Sequence, residues 1–451
     1  MTPLQANAYL ALLLESGIKA DLDQTRLLAE RMGNPQEAYP CILVAGTNGK
    51  GSVASALASI LSAAGFVPGL YTSPHLVTLR ERIRVGRRLI SREELARSLT
   101  RVRAAGEEAA DRGWIDGTPT YFEALTLGAF DHFRRERVSM AVLEVGLGGR
   151  WDCTNIVRPI LCLTSSIGID HEEWLGKGIR NIAREKAGIF RPLVPAVSGT
   201  QQEEVLEVLR SEALKAGTAL REPDSCVVEH GGCGFEVRTP EGRAVVSEPP
   251  LRGAHQVGNL ALACRAALCL RTLGWDIPEE AFRTGIKSLR WPGRLHRIPG
   301  PPDLIFDGAH NEDACRSLAA FAGETSRPRV LVMAAMEDKP IREMVTALLP
   351  AFDSLVATQV PMERCLAAER LSELAPTASP AVIPDPEEAL AVARERAGET
   401  GTVTVAGSLY LVGYLMERLG FDPDAYFEGG SGFPEGAVSV DPPPPRPTGS
   451  V

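Results

Sequence analysis

The chain has 451 residues, 44% of them apolar and 23% charged, a balance that excludes wholesale disorder and a fibrous repeat. Single cores stop growing at about 250–300 residues, so this length suits two or three domains. Its 48 basic and 57 acidic side chains leave a formal charge of -9, which argues against nucleic acid as a partner, since phosphate backbones need a positive face.

The longest apolar run near the start, Tyr9 to Leu14, falls far short of the roughly 20 residues that span a bilayer, and no basic segment precedes it. The expectation is a cytoplasmic protein with no membrane partner. Nine cysteines without a zinc spacing read as reduced, mostly buried thiols.

From Cys41 onward, short apolar runs ending in Gly, Ser or Asp alternate with helical patterns, as βαβ units do. The predicted strands are Cys41–Ala45, Met140–Val145, Ile160–Thr164 and Val194–Ser198, then Asp303–Phe306, Val330–Ala334, Ser354–Thr358 and Thr402–Ala406. Cys226 to Val246 alternates β-formers with Gly and Pro and reads as an antiparallel excursion. A helical stretch, Asn259–Leu273, and the turn-rich Trp291-Pro292-Gly293-Arg294 separate the two strand clusters. The predicted fold class is therefore α/β, with a domain over 1–297, a smaller one over 298–425, and a disordered tail over 426–451, where Gly and Pro dominate.

Gly46-Thr47-Asn48-Gly49-Lys50-Gly51-Ser52 joins the first strand to a predicted helix, Val53–Ala64. Glycines there let backbone N–H groups turn onto an anion, and a helix N-terminus adds partial positive charge. Lys50 would reach the outer phosphates of a nucleotide. The match to G-x-x-x-x-G-K-[ST] is imperfect: Val44 replaces the first glycine, Gly51 stands at the hydroxyl position, and the hydroxyl arrives one place late as Ser52. Glu144 closes a predicted strand at the carboxyl edge of a parallel sheet, where ligands bind and an oxygen ligand suits Mg²⁺.

The loop resembles that of folylpolyglutamate and dihydrofolate synthases, in the Mur ligase superfamily. Seven further blocks follow in order: Tyr71–Leu76, Glu144–Arg150, Arg184–Ile189, His255–Asn259, Pro292–Arg294, Asp307–Asn311 and Gly407–Tyr410. This resemblance implies an N-terminal P-loop ATPase-like domain and a smaller C-terminal Rossmann-like domain. It also implies roles for single residues. ATP is expected on Gly46 to Ser52, Asn259, Arg294 and Asp307, and Mg²⁺ on Ser52, Ser73, Glu144, His171 and Lys186, the lysine being carbamylated. Lys50, Lys186 and His310 are expected to be catalytic. His310 and Ser408 are expected to line the L-glutamate pocket, and Arg82, Tyr121 and Phe122 the pterin side.

What the resemblance implies chemically is phosphorylation of a pterin-linked carboxylate by ATP, then attack by the α-amine of glutamate. The acceptor is dihydropteroate, a tetrahydrofolate, or both, and the enzyme is expected to act as a monomer. A monofunctional folylpolyglutamate synthase, a Mur-type ligase of other specificity, a P-loop ATPase and a nucleotide-regulated binding protein stay open on the sequence alone.

Overall fold

Every residue of Cys41–Ala45 (β1) is buried, the pattern of a strand covered on both sides. Cys41, Leu43 and Ala45 join one apolar core, while Ile42 and Val44 join another, because successive strand residues point to opposite faces. The structure is a computed structural model that describes residues 1–14, 17, 21–199, 202–223, 227–231, 234–375 and 380–434.

The strands that accompany β1 are Pro68–Tyr71 (β2), Ile83–Val85 (β3), Arg88–Leu89 (β4), Met140–Glu144 (β5), Pro159–Thr164 (β6), Ala196–Ser198 (β7) and Leu220–Arg221 (β8). They form one sheet in the order β4-β3-β2-β5-β1-β6-β7-β8. It is parallel except where β3 meets β2 and β4. One face is covered by helices Pro3–Leu13, Asp23–Arg31, Arg92–Asp111 and Tyr121–Arg135, the other by Lys50–Ala63, Ala254–Thr272 and Glu279–Lys287. Ala254–Thr272 is apolar on nearly all sides because it also packs under an antiparallel sheet of Val227–Gly231 (β9), Gly234–Thr239 (β10) and Gly242–Ser247 (β11). Cys226 and Cys233 lie outside the described residues.

The second sheet runs His296–Ile298 (β12), Asp303–Phe306 (β13), Arg329–Met333 (β14), Ser354–Ala357 (β15), Ala381–Val382 (β16) and Thr402–Ala406 (β17), in the order β12-β13-β17-β14-β15-β16. Only β12 is antiparallel. Two mostly parallel sheets with helices on both faces make the fold α/β. Among the described residues no helix is long and apolar enough to cross a membrane.

Two expected boundaries shift. Position 297 falls inside β12, whose pairing with Asp303–Phe306 places the change of sheet within Trp291–Leu295. The chain is also ordered beyond 426: Pro423–Glu428 is helical, and Phe421, Tyr426 and Phe433 pack their rings around His296. Residues 435–451 of the expected tail lie outside the described residues.

Helix Glu279–Lys287 approaches Lys50–Ala63 closely at Gly285, where a Cβ would lie 2.5 Å from the Cα of Ile60. That atom is backbone and cannot move aside cheaply. Gly285→Ala is expected to destabilise the protein by about 1–3 kcal/mol through overpacking. Gly258→Ala, where a Cβ meets nothing within 4 Å, should stabilise the helix by roughly 0.5–1 kcal/mol. Thermal unfolding of the two variants checks the contrast, and equal midpoints would contradict the close approach.

Candidate active site

At the end of β1 the chain turns through Gly46, at φ 148°, and Gly49, at φ 83°, into helix Lys50–Ala63. Both positions lie in the region that favours glycine. A Cβ at Gly49 would meet the Asn259 amide at 2.2 Å, so Asn259 lies directly on the loop. The Thr47 and Asn48 amides both donate to the Ser166 carbonyl, at 2.8 and 3.2 Å, and the Ser165 hydroxyl donates to Asn48 O at 2.8 Å. The amides left for an anion are those of the first helical turn, Lys50, Gly51 and Ser52, which have no intrahelical acceptor. Lys50 Nζ donates to Thr47 O at 3.1 Å, which folds the lysine back along the loop.

Gly51 has a steric cause. A Cβ there would sit 2.4 Å from the Trp291 ring and 3.2 Å from Glu144 Oε2. The hydroxyl position of the usual pattern is occupied by these neighbours, and Ser52, itself buried, supplies the hydroxyl one place later.

Glu144 ends β5 and is only 4% exposed, with Oε2 accepting the Ser73 N–H at 3.0 Å. Burial pushes its carboxyl above the ordinary carboxylate range, against the pull of Lys50, the Ser73 amide, Arg294 and Arg82. Lys186 is also buried and donates to Gly46 O at 2.7 Å. Burial, with Lys50 nearby, holds its ammonium down to about 7.

Hard oxygen donors of Glu144, Ser52 and Ser73 around a buried carboxylate fit Mg²⁺. No three His, Cys, Asp or Glu side chains converge among the described residues, so most of the ion's other ligands would be hydroxyl, water or phosphate oxygens. His171 stands apart from Glu144 on its own loop, at φ 54°, with its ring nitrogens 3.8 Å from Asp170 and Glu173. As an ammonium, Lys186 has no lone pair and is a donor, not a ligand.

The second domain closes over this loop. Asn48 and Asn311 exchange amide hydrogen bonds of 3.3 and 2.9 Å. Lys339 Nζ donates to Asp170 at 3.0 Å across the same gap. Asp307 is buried, its two oxygens taken by the Leu295 and Ala309 amides, and its role is at least partly to fix the turn after β13. Arg294 is half-buried with Nη1 on Gly293 O, facing Asp307 and Glu144, and desolvation lowers its affinity for a proton. His310 Nδ1 lies 2.7 Å from Gly308 O. A carbonyl only accepts, so Nδ1 carries the hydrogen and Nε2 is left as an acceptor. Burial holds this ring down to about 4, hence neutral near pH 7. Ser408 is buried as the N-cap of Leu409–Arg418, its oxygen accepting from Tyr410 N.

On the other flank Arg82 Nε donates to His75 Nδ1 at 3.0 Å, and its guanidinium lies 5.7 Å from the Tyr121 ring centre. Phe122 lies over Gly146, where a Cβ would meet it at 2.5 Å, while Leu125 and Leu127 are core residues. Tyr121 and Phe122 are half-buried at the start of a helix capped by Thr120 and Glu123.

Sequence reasoning missed Ser165, Ser166, Trp291 and Lys339. The serines follow a predicted strand and were a readable signal as loop supports. Lys339 had none, since its partner lies 169 positions away.

The Mur ligase middle domain family matches residues 44–267, and the Mur ligase, glutamate ligase domain family matches residues 293–409. The chain is 34% identical over 420 residues to the dihydrofolate synthase/folylpolyglutamate synthase of Bacillus subtilis, covering 90% of this chain and 96% of that one. It is 34% identical over 416 residues to the Escherichia coli protein of the same name, covering 91% and 94%. Among solved structures, E. coli FolC in complex with DHPP and ADP superposes with a TM-score of 0.84 at 32% identity over 92% of this chain and 97% of that one. The Mycobacterium tuberculosis folylpolyglutamate synthase complexed with ADP gives 0.85 at 31% identity over 93% and 99%. With this shared identity, coverage and fold, the chain belongs to the folylpolyglutamate synthase/dihydrofolate synthase family of Mur ligases.

Proposed function

We propose that the cleft joins L-glutamate to dihydropteroate and to the terminal γ-carboxylate of a tetrahydrofolate, consuming ATP and releasing ADP and phosphate. The observation that carries this reading is the reciprocal pairing of Asn48 in the phosphate loop with Asn311 of the second domain. A nucleotide seated on the first lobe is thereby set against groups of the second, as a ligase with two small substrates requires. The proposed enzyme acts as a cytoplasmic monomer.

A carboxylate needs a leaving group before an amine displaces its oxygen. The γ-phosphoryl of ATP passes to that oxygen, the glutamate nitrogen attacks the acyl carbon, and phosphate leaves as the amide forms. No enzyme nucleophile is needed. Lys50, Arg294 and the first-turn amides of Lys50, Gly51 and Ser52 hold the phosphate charge in place, which is positioning and electrostatic catalysis. Two Mg²⁺ ions, one held by Glu144 with Ser52 and Ser73 and a second by His171 with carbamylated Lys186, would neutralise phosphate charge. Arg82, Tyr121 and Phe122 hold the pterin substrate, its carboxylate meeting the guanidinium fork. His310 Nε2 and Ser408 meet the incoming glutamate, the neutral imidazole accepting from its ammonium. Lys186 is carbamylated: its neutral amine adds CO₂ and loses a proton, and the resulting anionic oxygens turn a donor into a metal ligand.

Lys50→Ala is expected to reduce ligation by about 10²–10³-fold or more while the melting temperature holds; near-normal product formation by the folded variant would sink the assignment. In steady-state kinetics His310→Ala should raise the glutamate KM by about tenfold, the equivalent of about 1.4 kcal/mol, with the ATP KM little changed. Equal increases would contradict the pocket. Protein equilibrated with ¹³C-bicarbonate should give a carbamate carbon resonance that Lys186→Ala lacks, and a wild-type spectrum without that resonance would rule out the modification.

A further inference from the structure

Far along the helix that begins at the phosphate loop, the protein contains a second basic site that the ligation reaction does not use. A cavity of about 260 Å³ lies between helices Lys50–Ala63 and Glu279–Lys287, with Phe427 at its side. Its lining includes three arginines, Arg84, Arg87 and Arg290, and hydroxyls of Ser59, Ser62 and Ser288. Ser62 stands about 18 Å along the helix axis from Lys50.

None of the three arginines pairs with a carboxylate among the described residues, although ion pairs are plentiful elsewhere on the surface. Arg84 is 4% exposed; its Nη2 donates to Ser55 Oγ at 3.0 Å, and its Nε is buried without an acceptor. Its guanidinium stacks 4.3 Å from the Phe427 ring centre and 5.4 Å from that of Trp291. Arg290 donates to Gly429 O at 3.0 Å and also bonds the Tyr426 hydroxyl, whose ring it faces, but meets no carboxylate among the described residues. Arg87 is exposed at the rim. Glu280, on the neighbouring helix, is occupied by Arg283 and Thr284. Burial holds Arg84 down to about 10, so it remains a cation at neutral pH.

A buried guanidinium with an unmade hydrogen bond is costly. The cavity is smaller than the roughly 300–1,000 Å³ of a drug-sized pocket, so its occupant is small. The Ser59 and Ser288 hydroxyls already donate to Gly285 O, so the donors left are the guanidinium forks and Ser62, still more than one carboxylate accepts, which suits a tetrahedral oxyanion. We propose that this cavity binds a phosphate group, free or on a small ester, at a site separate from the catalytic cleft. Through Arg84 the bound anion touches Trp291, which packs on Gly51, and Phe427 of the C-terminal segment. The site thus lies against the joint between the lobes.

The test is calorimetric titration of inorganic phosphate at constant ionic strength into full-length Lys50→Ala protein, whose phosphate loop lacks its lysine. One phosphate should bind, and adding Ser62→Asp or Arg87→Ala should weaken it by about tenfold or more, the scale of a lost hydrogen bond to a charged group. Arg87 is on the exposed rim, so its variant guards against a packing defect from Ser62→Asp. Phosphate affinity unchanged in both double variants, or no binding at millimolar phosphate, would overturn the proposal. A parallel titration with glutarate distinguishes a dicarboxylate, and preference for it over phosphate would overturn the oxyanion assignment. Glycerol phosphate binding with similar affinity to free phosphate would support an ester as the occupant.

Discussion

The cleft is organised around an imbalance of charge. Lys50, Arg294 and Arg82 act on the buried carboxylate of Glu144, while Lys186 faces Lys50, Asp170 and Asp152 and Arg294 also faces Asp307, beside a helix N-terminus that adds partial positive charge. Cations held together in a poorly solvated place repel one another, and burial weakens the proton affinity of Lys186 and Arg294 accordingly. Such an arrangement is unfavourable when empty of anions and becomes favourable when phosphates and carboxylates enter. The fold supplies the rigidity that keeps these groups close: β1 and β5 are buried on both faces, so the loops at their carboxyl ends start from fixed points.

Much of this was legible in the sequence because it is local. The glycines at 46 and 49 sit where the backbone turns left-handed, and Glu144 sits at a strand end. The departure from the usual phosphate-loop pattern was visible but not explicable, because its cause, Trp291 against Gly51, joins residues 240 positions apart. Strands β2 to β4 escaped because they are two to four residues long and begin at Pro68-Gly69, which reads as a turn. The C-terminal segment misled for another reason. Its composition is rich in Gly and Pro, yet three aromatic rings on His296 fix it, and three rings barely register in composition.

Site roles were less legible than site positions. Asp307 and Ser408 were expected at ligands, and the structure gives each a backbone task, holding a turn and capping a helix. Such a task does not exclude a ligand, since a carboxylate accepts about four hydrogen bonds and a hydroxyl still has its proton to donate. It does mean that removing either side chain would disturb the backbone as well as the pocket. His310 is cleaner, because its bond to Gly308 O fixes the tautomer and leaves the other nitrogen free to act.

Domain closure is what such a cleft needs if an acyl phosphate is to be kept from water, and the contacts between the lobes suit reversible movement. Arg80 grips Asp424 through two hydrogen bonds of 2.7 and 2.6 Å, but Asp424 is half exposed, so the pair contributes about 1 kcal/mol at most. The Asn48–Asn311 exchange is a neutral pair of similar size. The apolar part comes from Leu76, Val77 and Leu89, which pack on the core of the second lobe, and a Cβ at Gly413 would lie 1.9 Å from Leu76 O. Interfaces of this mixed kind permit relative motion as a rule. Gly293, at φ 69°, lies in the segment where the chain passes from one sheet to the other, packed against Leu76 and Val412 and accepting from the Gly308 amide. Lys339 on Asp170 adds a charged tie between the second lobe and the loop that carries His171, whose N–H in turn donates to Asp170.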